Sequence, residues 1–181
     1  MIILVFGSQG SGKTTHAHYI ANKLGLPYVS TGEILRKIQE EPTELGRKVK
    51  DLISKGFIVP DDITVDAFKK YLDDNQIKDS FVLEGFPRTT SQVELVPYPV
   101  SMVFEFVLGE KTAVERLHKR GRHDDSLEII HQRLKLFKEK TLPVIEYYKK
   151  SGIPIFVVSN EPPIEEVQKE IDELLKKQTG N

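Results

Sequence analysis

One octapeptide near the start of the chain constrains the fold more than any other feature. It reads Gly7-Ser8-Gln9-Gly10-Ser11-Gly12-Lys13-Thr14 and satisfies the phosphate-loop pattern G-x-x-x-x-G-K-[ST], with the apolar run Ile2–Phe6 before it and an amphipathic pattern after it. Its glycines let successive backbone N–H groups converge on phosphate oxygens, and a helix N-terminus adds its dipole. Lys13 would bring its charge to the β- and γ-phosphates, and a threonine hydroxyl beside it can face Mg²⁺. The predicted triphosphate ligands are Gly10, Ser11, Gly12, Lys13, Thr14 and Thr15.

Short apolar runs alternate with longer amphipathic ones along the whole chain. The runs typical of strands are Ile2–Phe6, Tyr28–Val29, Phe81–Leu83, Met102–Val107 and Ile153–Val158. The helical patterns are Lys13–Leu24, Gly32–Gln39, Leu45–Ser54, Asp62–Leu72, Thr89–Leu95, Thr112–Lys119, Leu127–Lys149 and Ile164–Lys177. This alternation predicts a P-loop α/β fold of three layers, α/β/α, around a five-stranded parallel sheet. Pro143 should bend or break the longest helix.

The stretch from Ser30 to Val59 interrupts the alternation, because it holds helical patterns and no convincing strand. We interpret it as a helical insert on the sheet. A chain of 181 residues is of the size of one domain, so we predict a single domain over residues 1–181 that carries this insert at about 30–59.

Composition excludes several classes of function. The 26 basic side chains nearly balance the 27 acidic ones, so no large basic field predicts binding to nucleic acid or to a membrane. The chain has no cysteine, which removes disulfides, thiol catalysis and cysteine-based zinc sites. No apolar stretch approaches the roughly 20 residues of a membrane-spanning helix. A cytoplasmic protein without structural zinc is expected.

Two further elements combine polar side chains with arginine. Thr31 and Arg36 place a hydroxyl and a guanidinium near the start of one short helix. The segment Glu84–Gln92 follows a predicted buried strand, and the carboxyl ends of parallel strands are where such sheets bind ligands. Arg88 in this segment could hold a phosphate with two parallel hydrogen bonds.

A third element concentrates arginine. The chain has seven arginines, and four of them fall between Arg116 and Arg133. Such clustering in a nearly neutral protein suits an anionic triphosphate. The Asn-Lys-x-Asp element with which GTPases read guanine is missing, since Ser159–Pro162 lacks its Lys and its Asp. A kinase of small metabolites is therefore favoured.

These motifs, in this order and at these separations, resemble those of the adenylate kinases within the nucleoside monophosphate kinase family. The resemblance extends from Ile2 to about Val167. It implies that the phosphate loop binds ATP, that the insert of about 30–59 binds the monophosphate, and that a short lid lies at about 117–125. The implied reaction is ATP + AMP ⇌ 2 ADP, a Mg²⁺-dependent in-line phosphoryl transfer without a covalent intermediate. ATP, AMP and ADP would be the partners of a monomer.

The resemblance also implies roles for individual residues. The implied AMP contacts are Thr31, Arg36, Phe57, Val59, Gly85, Arg88, Gln92, Arg122 and Arg133. The implied ATP contacts outside the phosphate loop are Arg116, Arg120 and Asn160. The implied catalytic residues are Lys13, Arg88, Arg122 and Arg133. Those four charges would neutralise the phosphoryl group in transfer.

The chain departs from the family pattern at three positions. Gln9 stands where Pro is usual, Thr14 where Gly is usual, and Glu84 where Asp is usual. Glu84 occupies the position that orders the water ligands of Mg²⁺. We expect Mg²⁺ to arrive with ATP and to be helped by Thr14 and Glu84, without a direct protein ligand assigned.

Two alternatives stay open. A UMP/CMP kinase shares the short lid, but Thr31 and Gln92 resemble an adenine site, whereas pyrimidine sites usually carry Ala and Asn at those places. A regulatory module that binds nucleotide without transferring phosphate is the other alternative. The presence of every expected arginine argues against it.

Overall fold

A parallel sheet forms the centre of the protein. The computed structural model describes residues 1–120 and 126–179, with strands in the order β2-β3-β1-β4-β5, all parallel. The strands are β1 Ile2–Gly7, β2 Tyr28–Ser30, β3 Phe81–Glu84, β4 Val100–Val107 and β5 Ile155–Ser159. The predicted five-stranded parallel sheet is confirmed.

Helices join successive strands. They are α1 Lys13–Leu24, α2 Thr31–Ile38, α3 Glu44–Ser54, α4 Asp61–Asp74, α5 Glu110–Arg120, α6 Leu127–Leu136, α7 Leu142–Lys150 and α8 Ile164–Thr179. The helical pattern predicted from Thr89 forms a short 3₁₀ helix, Thr90–Leu95. In the described ranges no helix has the length and the apolar character to cross a membrane.

The sheet is covered on both faces, as its sequence predicts. On β1 every residue is buried, because alternate side chains point into different layers. Helices α4 and α7 pack against Ile2, Leu4 and Phe6, whereas α1 and α8 pack against Ile3 and Val5. The result is the predicted three-layer α/β/α fold.

The segment between β2 and α4 has its own packing. Residues 31–59 contain α2 and α3 but no strand. Leu35, Val49 and Val59 form a small buried cluster there, apart from the two clusters that cover the sheet. Ile34 of α2 packs in one of the clusters that cover the sheet, and Ile38 contacts both that cluster and the small one, so α2 connects the segment to the sheet.

The longest predicted helix is interrupted near Pro143, as expected. Between α6 and α7 the backbone widens into a π-helical turn, Phe137–Thr141. In a regular helix the proline ring would collide with the carbonyl group four residues earlier, at Glu139, and Pro143 has no N–H to donate. The wider turn relieves this collision in the segment that contains Glu139.

Candidate functional site

The loops that follow β1, β2, β3 and β5 leave the same edge of the sheet, because all the strands are parallel. They carry the phosphate loop after β1, Thr31 after β2, Gly85–Arg88 after β3 and Asn160 after β5. Residues far apart in sequence therefore meet at the carboxyl edge. Sheet topology, not local sequence, brings these predicted site residues together.

The phosphate loop leads directly into α1. Gly12 precedes the helix with a left-handed backbone, φ 76°, and as a glycine it has no side chain to cap the first turn. A Cβ atom at Gly12 would collide with the side-chain amide of Asn160. That amide donates from Nδ2 to the Ser11 carbonyl oxygen at 2.7 Å. Asn160 thus holds the loop from the side, and the N-terminus of α1 points its positive dipole end toward the space where an anion would bind.

A nearly buried carboxylate lies beside the phosphate loop. Glu84 is 7% exposed, and its Oε1 accepts a hydrogen bond from the Thr14 hydroxyl at 3.0 Å. Its Oε2 accepts from the Tyr28 hydroxyl at 2.6 Å. Lys13 Nζ lies 4.0 Å from Oε1. Burial and the neighbouring Glu84 carboxylate raise the pKa of Tyr28, so its hydroxyl stays protonated and donates.

The oxygen atoms of Glu84 and Thr14 fit the chemistry of Mg²⁺. Mg²⁺ binds oxygen ligands and is usually held by one or two carboxylates together with substrate phosphates and water. Within residues 1–120 and 126–179, no three His, Asp or Glu side chains lie close enough together to hold a metal ion by themselves. Phosphate oxygens would have to complete such a site.

Three arginines converge at the same edge. A Cβ atom built on Gly32 would lie 3.5 Å from Arg36 Nη1 and 3.7 Å from Arg88 Nη2. Burial lowers the pKa of Arg88, Glu84 opposes that shift, and the positive charges of Arg133 and Arg36 add to it. These guanidinium groups repel one another, and a bound anion would relieve that repulsion.

The backbone of the Arg88 loop is held firmly. Arg88 Nε donates to the Gly85 carbonyl oxygen at 2.8 Å, and the Thr141 hydroxyl donates to the Arg88 carbonyl oxygen at 3.1 Å. Gly85 has φ 85°, and a Cβ atom there would lie 2.8 Å from Thr31 Oγ1. Only glycine lets Thr31 approach this loop so closely.

Two cavities meet at these arginines. The first, the phosphate-loop cavity, is lined by Lys13, Arg88 and Arg133 among others. The second, the insert cavity, is lined by Thr31, Arg36, Phe57, Val59, Gly85, Arg88, Gln92 and Arg133 among others. Arg88 and Arg133 line both cavities. Two anionic ligands, one in each cavity, would meet between these two guanidinium groups.

The remaining predicted residues are placed as follows. Arg116 Nη2 donates to the Asn160 carbonyl oxygen at 3.0 Å, which joins the two predicted ATP contacts. Arg133 Nη2 donates to the Ile53 carbonyl oxygen at 3.2 Å, at the end of α3. Thr15 is exposed on α1. Arg122 and the side chain of Arg120 lie outside the described residues.

The structure adds residues that sequence reasoning missed. Tyr28 reads as part of a strand, and no spacing connects it with Glu84. His16 on α1 is buried, and its Nε2 lies 2.8 Å from Asn160 Oδ1. Burial lowers the pKa of His16, Arg116 lowers it further, and the Asn160 hydrogen bond opposes both. Asp61, at the start of α4, bonds the side chain of Gln92.

Comparisons with known proteins agree over most of the chain. A family model described as adenylate kinase matches residues 5–153. An adenylate kinase of Corynebacterium aurimucosum is 37% identical over 92% of this chain and 94% of its own. One from Mycobacterium tuberculosis is 36% identical over 82% and 86% of the two chains. One from Archaeoglobus fulgidus is 31% identical over 98% and 99%.

Proposed function

The chain belongs to the adenylate kinase family, and we propose that it transfers the γ-phosphoryl group of ATP to AMP, reversibly, to give two ADP. One observation carries the proposal: the phosphate-loop cavity and the insert cavity meet at Arg88 and Arg133, with Lys13 on the phosphate-loop side. A protein that hydrolyses or merely binds one nucleotide does not need a second anion site joined to the first. A kinase with a phosphate acceptor does.

We place ATP on the phosphate loop. Backbone N–H groups at the start of α1 and the Lys13 ammonium group would hold its β- and γ-phosphates. The hydrogen bond between Arg116 and the Asn160 carbonyl supports an adenine position between α5 and the loop after β5. Arg120 and Arg122 would complete the ATP side from the short lid, which we place at about 117–125.

We place AMP in the insert cavity, against residues 31–59. Arg36 and Arg88 would bind its phosphate, supported by the closeness of both guanidinium groups to Gly32. Thr31 and Gln92 would face the base. The remaining contacts would come from Phe57, Val59 and Gly85, which line the same cavity.

The proposed chemistry needs positioning more than proton transfer. An oxygen of the AMP phosphate forms a bond to the γ-phosphorus of ATP, and the bond from that phosphorus to the β,γ-bridging oxygen breaks. The attacking phosphate is already an anion near neutral pH, so no general base is required. Lys13, Arg88 and Arg133 hold two polyanions together against their repulsion. Adenylate kinases use MgATP; Mg²⁺ would add positive charge at the phosphates, with Thr14 and Glu84 as the residues that hold it.

Closure would protect the transferred group from water. The Arg133 bond to the Ile53 carbonyl joins α6 to the end of α3, and it supports a closed position of the insert over the two cavities. We propose a monomer as the active unit.

The test is an assay of ADP formation by the purified protein from ATP and AMP, with Mg²⁺. UMP, CMP and GMP at the same concentrations serve as alternative acceptors, and ATP without an acceptor measures hydrolysis. We expect rapid ADP formation with AMP and little with the others. A preference for UMP or CMP as acceptor would show that the protein is a pyrimidine monophosphate kinase. If no acceptor is phosphorylated, the alternative of a regulatory nucleotide-binding module would be favoured.

A further inference from the structure

The side-chain amide of Gln92 is held at both ends by the protein. Gln92 is 1% exposed and lines the insert cavity. Its Oε1 accepts a hydrogen bond from the Arg88 backbone N–H at 2.7 Å. Its Nε2 donates to Asp61 Oδ1, also at 2.7 Å. The second carboxylate oxygen of Asp61 accepts from the Ser91 hydroxyl at 2.7 Å, which holds the carboxylate in turn.

These two bonds determine which way the amide points. An amide can usually exchange its oxygen and nitrogen by a half-turn, with almost no change of shape. Here a half-turn would place Oε1 against the Asp61 carboxylate, two acceptors facing each other. It would also place the Nε2 hydrogens against the Arg88 N–H, two donors facing each other. Both mismatches lie at the buried Gln92 amide, in partly buried surroundings, where unpaired polar groups are costly.

We infer that Asp61 is a positioning residue that selects the acceptor base by locking the orientation of the Gln92 amide. The inference rests on the proposed function, with Gln92 facing the base. The two bonds use one N–H and one oxygen lone pair of the amide. Within the part of the chain that the structure describes, the second N–H and the second lone pair engage no other group. They present a donor and an acceptor in a fixed order.

That order matters because nucleobases divide into two sets. Adenine presents a ring nitrogen acceptor beside an amino donor, and cytosine does the same. Hypoxanthine, guanine and uracil present a ring N–H donor beside a carbonyl acceptor. An amide in one orientation complements the first set, and the same amide after a half-turn complements the second. A carboxylate can only accept, so Asp61 excludes the half-turn and with it pairing to the second set.

The test compares kcat/KM for AMP, IMP, GMP, CMP and UMP in the parent and in Asp61→Ala. Removing the carboxylate takes away one of the two mismatches that oppose the half-turn, so we expect kcat/KM for IMP, GMP and UMP to rise about tenfold relative to AMP, the scale of one hydrogen bond to a charged group. The value of kcat/KM for CMP should not rise relative to that for AMP. A general loosening of the cavity would instead raise kcat/KM for IMP, GMP, CMP and UMP together.

Two matched variants extend the comparison. Asp61→Asn keeps the shape, but its amide can turn together with that of Gln92 and donate to Oε1, so its selectivity should move in the same direction as that of Asp61→Ala. Ser91→Ala removes only the bond to Oδ2 and keeps the carboxylate, so its selectivity should stay within about threefold of the parent. In a Gln92→Ala background, Asp61→Ala should no longer change the ratios, because the amide that it positions is absent.

The outcomes separate this inference from the proposed function. If the parent does not phosphorylate AMP, the proposed function fails. The positioning role is wrong if the parent phosphorylates AMP and Asp61→Ala leaves the ratio of kcat/KM for AMP to that for IMP unchanged. It is also wrong if Asp61→Ala raises kcat/KM for CMP as much as it raises kcat/KM for IMP. Circular dichroism and the melting temperature of each variant establish that it is folded. If Asp61→Ala does not fold, Asp61→Leu or Asp61→Thr applies the same test, since neither side chain carries a carboxylate.

Discussion

Lys13 and Glu84 form the central charge pair of the site. A nearly buried carboxylate beside a triphosphate would repel it, but both Glu84 oxygens accept hydrogen bonds, and Lys13 Nζ lies 4.0 Å away. The longer side chain of Glu84, compared with the Asp that the family pattern favours, is held between Tyr28 and Thr14. Thr14 is itself a departure from that pattern, and it supplies one of these two bonds.

Lys13→Ala should remove nearly all turnover and leave the fold intact. Lys13 belongs to neither of the hydrophobic clusters that cover the sheet, so little packing is lost. A single positioned charge or donor at transferring phosphate is worth on the order of 10²–10³ in rate. ADP formation and the melting temperature measure the two effects.

Lys23→Ala is the matched control for that change. Lys23 lies on the same helix and pairs with Asp172 on the surface, at 2.7 Å. Its removal should leave activity within about twofold. Near-parental ADP formation by Lys13→Ala would contradict the assignment of the phosphate loop.

At the scale of elements, breaks in regular structure form the walls of the site. The π-helical turn before Pro143 brings Thr141 to the Arg88 carbonyl oxygen, and Phe137 and Thr141 line the phosphate-loop cavity. A straight helix from Leu127 to Lys149 would not have this wider turn beside the arginine loop. Irregular turns of this kind occur frequently at functional sites.

The packing of β4 against α7 contains a titratable group. Glu105 on β4 is 7% exposed and lies 3.8 Å from Lys149 of α7. Burial raises the pKa of Glu105, the charge of Lys149 opposes the shift, and Glu146 adds to it. A carboxyl group with a raised pKa in the folded state stabilises the fold below its unfolded pKa, and that contribution is lost as pH rises through the folded pKa.

Glu105→Gln should therefore raise the melting temperature at pH 7, because a neutral amide replaces a partly desolvated carboxylate. The gain should shrink toward pH 4, where the parent carboxyl group is protonated as well. Melting curves at both pH values measure it. Glu170→Gln is the control, since it neutralises an exposed carboxylate on α8. A gain that is the same at both pH values would contradict the titration of Glu105.

At the scale of the whole molecule, each substrate should stabilise the fold, because it contacts parts of the chain that are distant in sequence. AMP in the insert cavity would contact the insert through Arg36 and the core through Arg88. Binding to the native state stabilises by about 2.7 kcal/mol at 100 times Kd. In a domain of this size that corresponds to a rise in Tm of roughly 5–10 °C.

We expect AMP alone and ATP with Mg²⁺ alone each to raise Tm in this range. Arg36→Ala should abolish most of the rise with AMP and keep the rise with ATP. Arg47→Ala, an exposed arginine of α3, should keep both rises. Equal loss of both rises in Arg36→Ala would show that the two nucleotides do not occupy separate cavities. Scanning fluorimetry at fixed multiples of Kd makes the comparison.

Local pattern was enough to predict the elements of this protein. Strand and helix periods, the phosphate loop and Pro143 all depend on residues within a few positions of one another, so the sequence alone determined the parallel sheet, its three layers and the interruption between α6 and α7. The placement of Arg88 at a strand end followed for the same reason. The role of Arg122 stays a prediction, since it lies outside the described residues.

Only the tertiary structure decided which side chains act as pairs. Gln92 meets Asp61 across 31 positions, Tyr28 meets Glu84 across 56, and His16 meets Asn160 across 144. No sequence period connects such partners, because their separation depends on strand order and on how each crossover packs. A hydrogen bond also needs its two atoms within a few tenths of an ångström of the ideal distance. Sequence spacing predicts the element on which a residue lies, and the packing of elements decides its partner.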